Sequence, residues 1–176
     1  MSTLWQPLTW NIFHIIALNY NEIYRDQYIS FFEAFKVIIP CSICKNHYNN
    51  NLNNSNLSIE NNINKDRIFN WTIDLHNSVN KMNHKKIWSY DEARNYYTNI
   101  HLTTKVLKLF IYEFIKANFK KKPEKTINLI KMLQSIAYLH PNEEKRNKLI
   151  DFKQKFELNR FIFKKWLIAF ILIIEN

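Results

Sequence analysis

The sequence predicts an all-α protein. The chain of 176 residues has no glycine, is 47% hydrophobic and 15% aromatic, and holds enough apolar material for a sizeable core in one domain or two small ones. Few stretches alternate between apolar and polar residues as strands do, whereas long stretches repeat apolar residues with the period of an α-helix. The lack of glycine argues against the phosphate-binding loops of P-loop and Rossmann proteins, which need close backbone approach.

Two helices are predicted before the first proline break. The first covers residues 7–23 and places Trp10, Phe13 and His14 on one apolar face. The second is expected to begin at a cap formed by Asp26. It ends before Pro40, because the residue that precedes a proline avoids the α conformation.

Three further helices are expected next. One begins at the two cysteines and carries His47 and Tyr48, and an Asn-rich loop over residues 49–64 follows it. Residues 65–81 form a fourth helix with an apolar stripe, and a capping box of Ser89 and Glu92 opens a fifth that ends near residue 99.

The remaining chain is predicted to be helical with clear breaks. A helix over residues 103–119 is followed by one that starts at Pro123 and has Ile127, Ile130, Leu133, Ile136 and Ala137 on its apolar side. Asn142 is expected to cap a long helix, or a pair of helices, that reaches Ile174. The predicted domain boundary lies near residue 100, which gives domains of residues 1–99 and 100–176.

The charge is distributed unevenly between these two parts. Residues 1–99 carry nine Lys and Arg against eight Asp and Glu, and residues 100–176 carry sixteen against seven. The basic part suits an acidic partner, nucleic acid or an anionic membrane, or is simply a solvated Lys-rich surface. No secretory signal is evident. The apolar run 166–174 is shorter than the roughly 20 residues that span a bilayer, so it is predicted to be a buried final helix, with membrane-surface contact as the alternative.

Both cysteines of the chain lie in one short stretch, Pro40-Cys41-Ser42-Ile43-Cys44. A pair at this spacing can alternate between dithiol and disulfide with little movement of the backbone. If Cys41 begins a helix, the unpaired N–H groups and the helix dipole favour its thiolate. The same spacing also occurs in half of a zinc site and in pairs of ordinary buried residues, so the cysteines alone leave the chemistry open.

Three motifs, in this order along the chain, resemble the Erv/ALR family of FAD-dependent sulfhydryl oxidases. They are Trp10-x-x-x-His14, Cys41-x-x-Cys44 with His47, and the helix that ends in His76-Asn77-x-Val79-Asn80. The opening Trp5-Gln6-Pro7 resembles the W-G-P-x-x-W start of several members. The resemblance covers roughly residues 4–97, and no family match is recognised for residues 100–176.

The resemblance implies a four-helix bundle with a short fifth helix that holds FAD at one mouth, followed here by a C-terminal helical domain. It implies that substrate dithiols reduce the Cys41–Cys44 disulfide, and that the electrons pass through the flavin to oxygen and give hydrogen peroxide. By the same analogy Cys41 meets the substrate and Cys44 lies next to the flavin.

The resemblance also assigns a set of FAD-binding residues. They are Trp10, His14, Tyr20, His47, His76, Asn77, Asn80, Lys85 and Trp88. Taken singly, Trp10 and His14 are more often core residues, and Asn77 and Asn80 could be ordinary exposed asparagines. Their joint occurrence at the family spacing favours the FAD site. His84, His101 and His140 match no motif and are expected to be surface or packing residues.

The chain departs from the family in ways that bear on its partners. Many members have an additional shuttle CxxC and a structural disulfide, and this chain has neither, so its substrates are expected to reach Cys41 directly. Asn83, His84 and Lys86 stand where members often have leucine, glycine and proline, respectively, which makes the phosphate contacts of the 82–88 loop less defined.

The expected partners are protein dithiols, oxygen and a second copy in a homodimer, with no nucleic acid and no membrane association. A large DNA virus is the expected source, with a mitochondrial or protist origin as the rival, and a viral protein is expected in the host cytoplasm, the viral factory or the virion. The competing function is a zinc-stabilised interaction module with Cys41, Cys44, His47 and His76 as ligands.

Overall fold

The structure is a computed structural model that describes residues 4–119, 121–156 and 162–175. Over these residues it contains α-helices and two short 3₁₀ turns, Glu22–Tyr24 and Ser55–Leu57, and no strand, which confirms the predicted all-α class. The helices in chain order are α1 Trp5–Leu18, α2 Arg25–Ile38, α3 Ser42–Leu52, α4 Ile59–Asn62, α5 Ile68–Met82, α6 Tyr90–Thr98, α7 Thr104–Asn118, α8 Pro123–Leu139, α9 Glu143–Lys155 and α10 Phe163–Glu175.

Helices α1, α2, α3 and α5 enclose the first part of the core, and α6 lies against α1 and α5. Phe13 of α1 is surrounded edge-on by Phe32 and Phe35 of α2 at ring-centroid distances of 4.9 and 4.7 Å. Trp71 of α5 meets Phe32 at 4.7 Å from the other side. Four helices and a short fifth therefore pack as the family resemblance implies.

The predicted helix over residues 7–23 ends earlier, at Leu18. The Asn19 side chain donates to the carbonyl of Ile15 at 2.8 Å, and Asn21 caps a separate 3₁₀ turn by accepting from the Ile23 N–H. Because that turn runs directly into α2 at Arg25, the predicted cap at Asp26 was wrong, and Asp26 lies in the first turn of the helix.

The predicted Asn-rich loop over residues 49–64 contains more structure than expected. Helix α3 continues to Leu52, and α4 buries Ile59. Asn62, which is almost fully buried, donates to the carbonyls of Asn56 and Ser58 at 3.0 and 2.7 Å. Asparagine side chains here replace backbone partners, so a stretch whose composition indicates a loop folds into short helical turns.

The predicted helix starts in the rest of the chain are largely confirmed. Ser89 and Glu92 form the capping box of α6, Pro123 opens α8, and Asn142 caps α9 by accepting from the Lys145 N–H. One member of the predicted apolar stripe of α8 was wrong, since Ile127 is 54% exposed.

Helices α7 and α8 pack directly on the bundle, whereas α9 packs on α8, and α10 packs on α9 and α7. Helix α2 lies between the other bundle helices and α8, and it packs along α8 more extensively than along any other described helix. Phe114 of α7 approaches Phe35 of α2 at 5.2 Å and Trp5 of α1 at 6.3 Å. Buried residues from both sides of residue 100 thus form one continuous core. The division into two domains remains a prediction.

The apolar run at residues 166–174 was predicted to be a buried final helix, and the helix it forms, α10, is buried along one face only. Trp166, Phe170 and Ile174 are buried, while Ile168 is 54% exposed. Over the described residues, none of the helices has both the length and the apolar character needed to cross a membrane.

Candidate functional site

The two cysteines form a disulfide at the start of α3, with their Cα atoms 5.2 Å apart. Pro40 ends the preceding segment, and Cys41 is the N-cap residue of α3. The Cys41 Sγ accepts a hydrogen bond from the Cys44 N–H at 3.2 Å. When the pair is reduced, the same N–H and the helix dipole favour the Cys41 thiolate, which is the nucleophilic form.

A cleft of about 570 Å³ lies beside this disulfide, between α1, α3, α5 and the segment that precedes α6. Cys44 forms part of its wall, whereas Cys41 does not line it. The wall is built mainly from aromatic and aliphatic side chains with a few amides and two lysines. Its lining residues include Trp5, Trp10, Phe13, Ile39, Tyr48, Leu75, Val79, Trp88 and Tyr97. A flat aromatic ligand fits such a slot.

His76, which lines the cleft, and His14, which lies behind it, form a hydrogen-bond chain with Thr72. The Thr72 hydroxyl donates to the carbonyl of Phe69 at 2.7 Å, so its oxygen accepts from His14 Nδ1 at 2.9 Å. His14 Nε2 is then an acceptor, and His76 Nδ1 donates to it at 3.0 Å. This order leaves a lone pair on His76 Nε2, the remaining nitrogen of a side chain that lines the cleft.

Both histidines are held in the neutral form. Burial, followed by the nearby His76, keeps the pKa of His14 well below its ordinary value. Burial and then the positive charge of Lys85 lower the pKa of His76 to about 4. Neutral rings are needed here, because a second proton on either imidazole would remove an acceptor from the chain.

Trp10 completes this corner of the cleft by stacking on His76. The two rings are nearly parallel, with centroids 4.3 Å apart and planes 6° apart. His14 follows Trp10 by one helical turn, so α1 supplies the tryptophan that stacks on His76 and α5 supplies His76 itself. Tyr97 from α6 packs on His14 at 4.6 Å and closes the corner.

Asn77 and Asn80 of α5 fix the segment that forms the far wall. Asn77 Nδ2 donates to the carbonyl of Trp88 at 2.8 Å, and the Trp88 N–H donates to Asn77 Oδ1 at 2.9 Å. Asn80 Nδ2 donates to the carbonyl of Lys86 at 2.9 Å. Both asparagines therefore act on the 85–88 backbone.

A left-handed residue allows this segment to fold back on α5. His84, directly after the C-cap Asn83, has φ of 52°, which is the conformation that glycine favours after a helix. Many members of the resembled family have glycine at this position. The Lys85 N–H then donates to the carbonyl of Asn80, so the turn is closed without a glycine.

The structure brings most of the expected FAD-binding residues to the cleft. Those that line it are Trp10, His47, His76, Asn80, Lys85 and Trp88, together with Cys44. His14 and Asn77 lie directly behind the wall and support His76 and Trp88, respectively. Tyr20 is not brought to the cleft: its hydroxyl donates to Glu22, and its ring packs on Tyr28 at 4.7 Å.

Several cleft residues were not predicted. Tyr97 lies one turn after the buried Ala93 on α6, so the apolar side of that short helix was the available signal. Gln6 stands at the glycine of the family's W-G-P start, and its Nε2 lies 3.7 Å from Cys44 Sγ as a donor. No sequence pattern distinguishes such a donor from an exposed glutamine.

The geometry does not favour the alternative zinc site, for which Cys41, Cys44, His47 and His76 were the candidate ligands. Cys41 and Cys44 are bonded to each other, and His76 Nδ1 is committed to His14. Across the described residues, no cluster of three or more His, Cys, Asp or Glu side chains has an arrangement that could hold a metal ion.

Comparisons with known proteins agree with this geometry. The model of the Erv1/Alr family matches residues 7–98. A probable FAD-linked sulfhydryl oxidase of Acanthamoeba polyphaga mimivirus is 34% identical over 93 residues, which cover 51% of this chain and 65% of that protein. The FAD-linked sulfhydryl oxidases of two African swine fever virus isolates, Tick/Malawi and Pig/Kenya, are 30% identical over 104 residues, or 57% of this chain and 85% of theirs. No solved structure matches the chain significantly.

Proposed function

Because this chain belongs to the Erv1/Alr family, we propose that it is an FAD-dependent thiol oxidase that forms disulfides in protein substrates. One observation carries the proposal: Cys44 of a Cys41–Cys44 disulfide forms part of the wall of an aromatic cleft, while Cys41 lies outside it. A redox pair placed in this way can face a cofactor on one side and a substrate on the other.

The residues of the cleft fit FAD. A flavin needs a flat apolar slot, and Leu75, Val79 and Tyr48 are among the lining side chains. An adenine needs an aromatic plane and hydrogen-bonding groups, and Trp10 with the lone pair of His76 Nε2 offers both. Phosphates need donors and positive charge, which Lys85 and Asn83 can supply at the rim. These residues would hold the cofactor.

The chain's own chemistry is thiol–disulfide exchange. A substrate thiolate attacks Cys41 Sγ, the Cys41–Cys44 bond breaks, and Cys44 leaves as a thiolate while Cys41 is bonded to the substrate. A second substrate thiolate then attacks the substrate sulfur of this mixed disulfide. The substrate leaves with a disulfide, and Cys41 and Cys44 remain as a dithiol. Gln6, which donates to Cys44 Sγ, stabilises the departing thiolate.

The chemistry that FAD supplies when bound is the transfer of two electrons from the dithiol to oxygen, with hydrogen peroxide as product. The side chains of this chain set the conditions for it. Cys44 supplies the sulfur that faces the cleft, and the Thr72–His14–His76 chain holds His76 in one neutral tautomer.

The substrates are proposed to be proteins whose dithiols reach Cys41 directly. These 176 residues contain no further cysteine to relay electrons, so the exchange step takes place at the Cys41–Cys44 pair itself. Ile43, between the two cysteines, is 66% exposed and presents an apolar contact to an approaching chain.

The expected viral source and the compartment belong to the same proposal. The relatives described above come from mimivirus and African swine fever virus, which supports a viral origin. The protein is then proposed to act in the host cytoplasm, in viral factories or in the virion, where the cell otherwise keeps thiols reduced.

The homodimer that the family resemblance implies remains a prediction. The described faces of α1 and α2 that turn away from the cleft are covered by α7 and α8, so a second copy would have to use another surface. Light scattering coupled to size-exclusion chromatography, with the mass of 21.5 kDa per chain as reference, decides between one and two copies.

The activity is tested on the purified protein. We expect a yellow protein with flavin absorbance that consumes oxygen and releases peroxide with dithiothreitol. Cys41→Ser and Cys44→Ser should retain flavin and lose at least about 1,000-fold in turnover, because each removes one half of the exchanged bond. Protein from a flavin-replete host that is colourless and contains one zinc per chain would refute the oxidase and favour the interaction module.

A further inference from the structure

Two of the carbonyls at the end of α2, just before the redox pair, have no backbone partner within the helix. In a continuous helix the carbonyl of Lys36 would accept from the N–H of residue 40, but Pro40 has no N–H. The carbonyl of Ile38 would accept from residue 42, which instead begins α3. The helix therefore needs partners from elsewhere at this end.

Two asparagines supply these partners. Asn49 of α3 donates through Nδ2 to the carbonyl of Lys36 at 3.2 Å. Asn118, at the end of α7, donates through Nδ2 to the carbonyl of Ile38 at 2.8 Å and also to Phe114 of its own helix at 3.0 Å. The bond from Asn118 to Ile38 links the C-terminal part of the chain to the backbone three residues before Cys41.

A buried asparagine at position 118 is less favourable for stability than an apolar side chain of similar size would be. The residue is fully buried, and among the residues that the structure describes its Oδ1 has no hydrogen-bond partner. A buried acceptor without a partner lowers stability, whereas a leucine of similar volume would not carry that cost. The hydrogen bond to Ile38 explains why a polar side chain stands at this position.

The link is short and stiff. Only Ile39 and Pro40 separate Ile38 from Cys41; Ile39 is buried, and the proline ring restricts its own φ. The helix that carries Asn118 is itself fixed on α1 and α2, because Phe114, one turn earlier, packs on Trp5 and Phe35. Through this link α7 limits how far Cys41 can move relative to Cys44.

We propose that Asn118 is a positioning residue for the redox pair, and that α7 through it keeps the two thiols close enough to favour the disulfide. The proposal rests on the redox role of Cys41 and Cys44 proposed above. Holding two thiols near each other raises their effective concentration, so the disulfide forms more readily and the reduction potential of the pair is lower. This gives the otherwise unmatched region 100–176 a part in the chemistry.

The test is the equilibrium between the flavin-loaded protein and glutathione in the absence of oxygen. Two glutathione thiols reduce the Cys41–Cys44 bond and leave as glutathione disulfide, and the protein thiols are counted by alkylation and gel shift. In Asn118→Leu, the equilibrium constant for forming the disulfide should fall about tenfold, which is a rise of about 30 mV in the reduction potential. Flavin content should be unchanged.

Two control variants separate positioning from general stability. Leu107→Ala removes a buried side chain of α7 about 16 Å along the helix from Asn118, so it should lower the unfolding midpoint and leave the potential unchanged. Asn128→Leu makes the same chemical change on α8, where, over the described residues, the asparagine side chain donates only to the carbonyl of Glu124 in its own helix.

The outcome is decisive in each case. A folded, yellow Asn118→Leu protein with the wild-type potential would overturn the proposal, as would an equal shift in Leu107→Ala. If the leucine variant does not fold, Asn118→Ser serves instead, since its hydroxyl can bond to the Phe114 carbonyl but is too short to reach Ile38. Failure of the oxidase function would appear separately, as wild-type protein that contains no flavin.

Discussion

His14 and His76 lie in contact because neither carries a charge. Each ring nitrogen between Thr72 and the cleft has a defined role as donor or acceptor, and that order holds only for neutral rings. The same burial that fixes the tautomers depresses both pKa values. The binding corner is therefore also sensitive to acid.

This sensitivity predicts how stability changes with pH. The pKa of His76 is about 4 in the folded chain against 6.5 when unfolded, so between these values the unfolded chain binds more protons. The free energy of unfolding should fall as the pH is lowered from about 6.5 to about 4, with roughly 1–2 kcal/mol from His76 after allowance for its partial exposure. His14 and His140, whose pKa values are also lowered, act in the same direction.

Urea unfolding of flavin-loaded protein, at fixed flavin concentration, measures this slope. His76→Gln should make the dependence shallower over that range, and His84→Gln, at an exposed position, should leave it unchanged. Identical slopes in wild type and His76→Gln would contradict the assignment.

The residue types in the sequence predicted many of the residues at the site, but they did not predict the hydrogen-bond partner of each side chain. Trp10, His47 and His76 reach the cleft as the family resemblance implies. Asn77 is one of the expected FAD-binding residues, and in the structure its side chain bonds to the backbone of Trp88, eleven residues away. That pairing depends on the left-handed turn at His84, and a histidine gives no signal for such a turn in the sequence.

At the scale of elements, the segment 85–88 is held to α5 by side chains rather than by regular structure. Asn77 forms two hydrogen bonds with Trp88, and Asn80 forms one with Lys86. Lys85, Lys86 and Ile87 of this segment are exposed, while Trp88 is half buried. Its position thus depends on two amides.

Replacing one of these amides should loosen the wall of the cleft. In Asn77→Ala, FAD binding has to order the segment 85–88 without the two hydrogen bonds of Asn77. Each bond contributes about 1 kcal/mol, so the Kd for FAD should rise by about tenfold or more. Titration of the flavin-free protein, followed by flavin fluorescence, measures the affinity. The matched control is Asn99→Ala, because the Asn99 side chain donates to the carbonyl of Asn95 in the preceding helix and, in the described part of the chain, to nothing else. An unchanged Kd would show that the segment is ordered without Asn77.

Element ends were predictable where one residue determines them. Pro40, Pro123, Asn142 and the Ser89 capping box act through local chemistry that is visible in the sequence. The short helical turns of the Asn-rich stretch 49–64 were not predictable, because asparagine side chains can hydrogen-bond to water in a loop or cap short helices. Burial of Ile59 and Ile63 against α2 and its neighbours stabilises the helical turns over a loop, and this is a tertiary interaction.

At the scale of the whole molecule, α2 is the central helix. Phe31, Phe32 and Phe35 are fully buried, and they meet the bundle on one side and α7 and α8 on the other. The sequence located the helices of residues 100–176, but their sites of contact on the bundle were not predictable from periodicity. An apolar stripe shows that a face is buried and does not show against which helix.

A truncation after Asn99 should therefore fail to give a stable oxidase. It uncovers several aromatic and aliphatic side chains of α1 and α2, at about 1.5–3 kcal/mol each, and their sum is comparable with the whole stability of a typical domain, about 5–15 kcal/mol. We expect insoluble protein, or soluble protein without flavin absorbance or a cooperative thermal transition by circular dichroism. A soluble, yellow fragment with full activity would show that residues 1–99 fold independently.

The central position of α2 also has a consequence for the order of events during synthesis. The ribosome completes α2 at residue 38, but α8, its most extensive partner, is complete only at residue 139. At typical elongation rates of 5–20 residues per second, the helix next to the cysteines waits roughly 5–20 s for its cover. During that interval the two cysteines that follow α2 lack the packing of α8, so their final environment can form only after residue 139 has been synthesised.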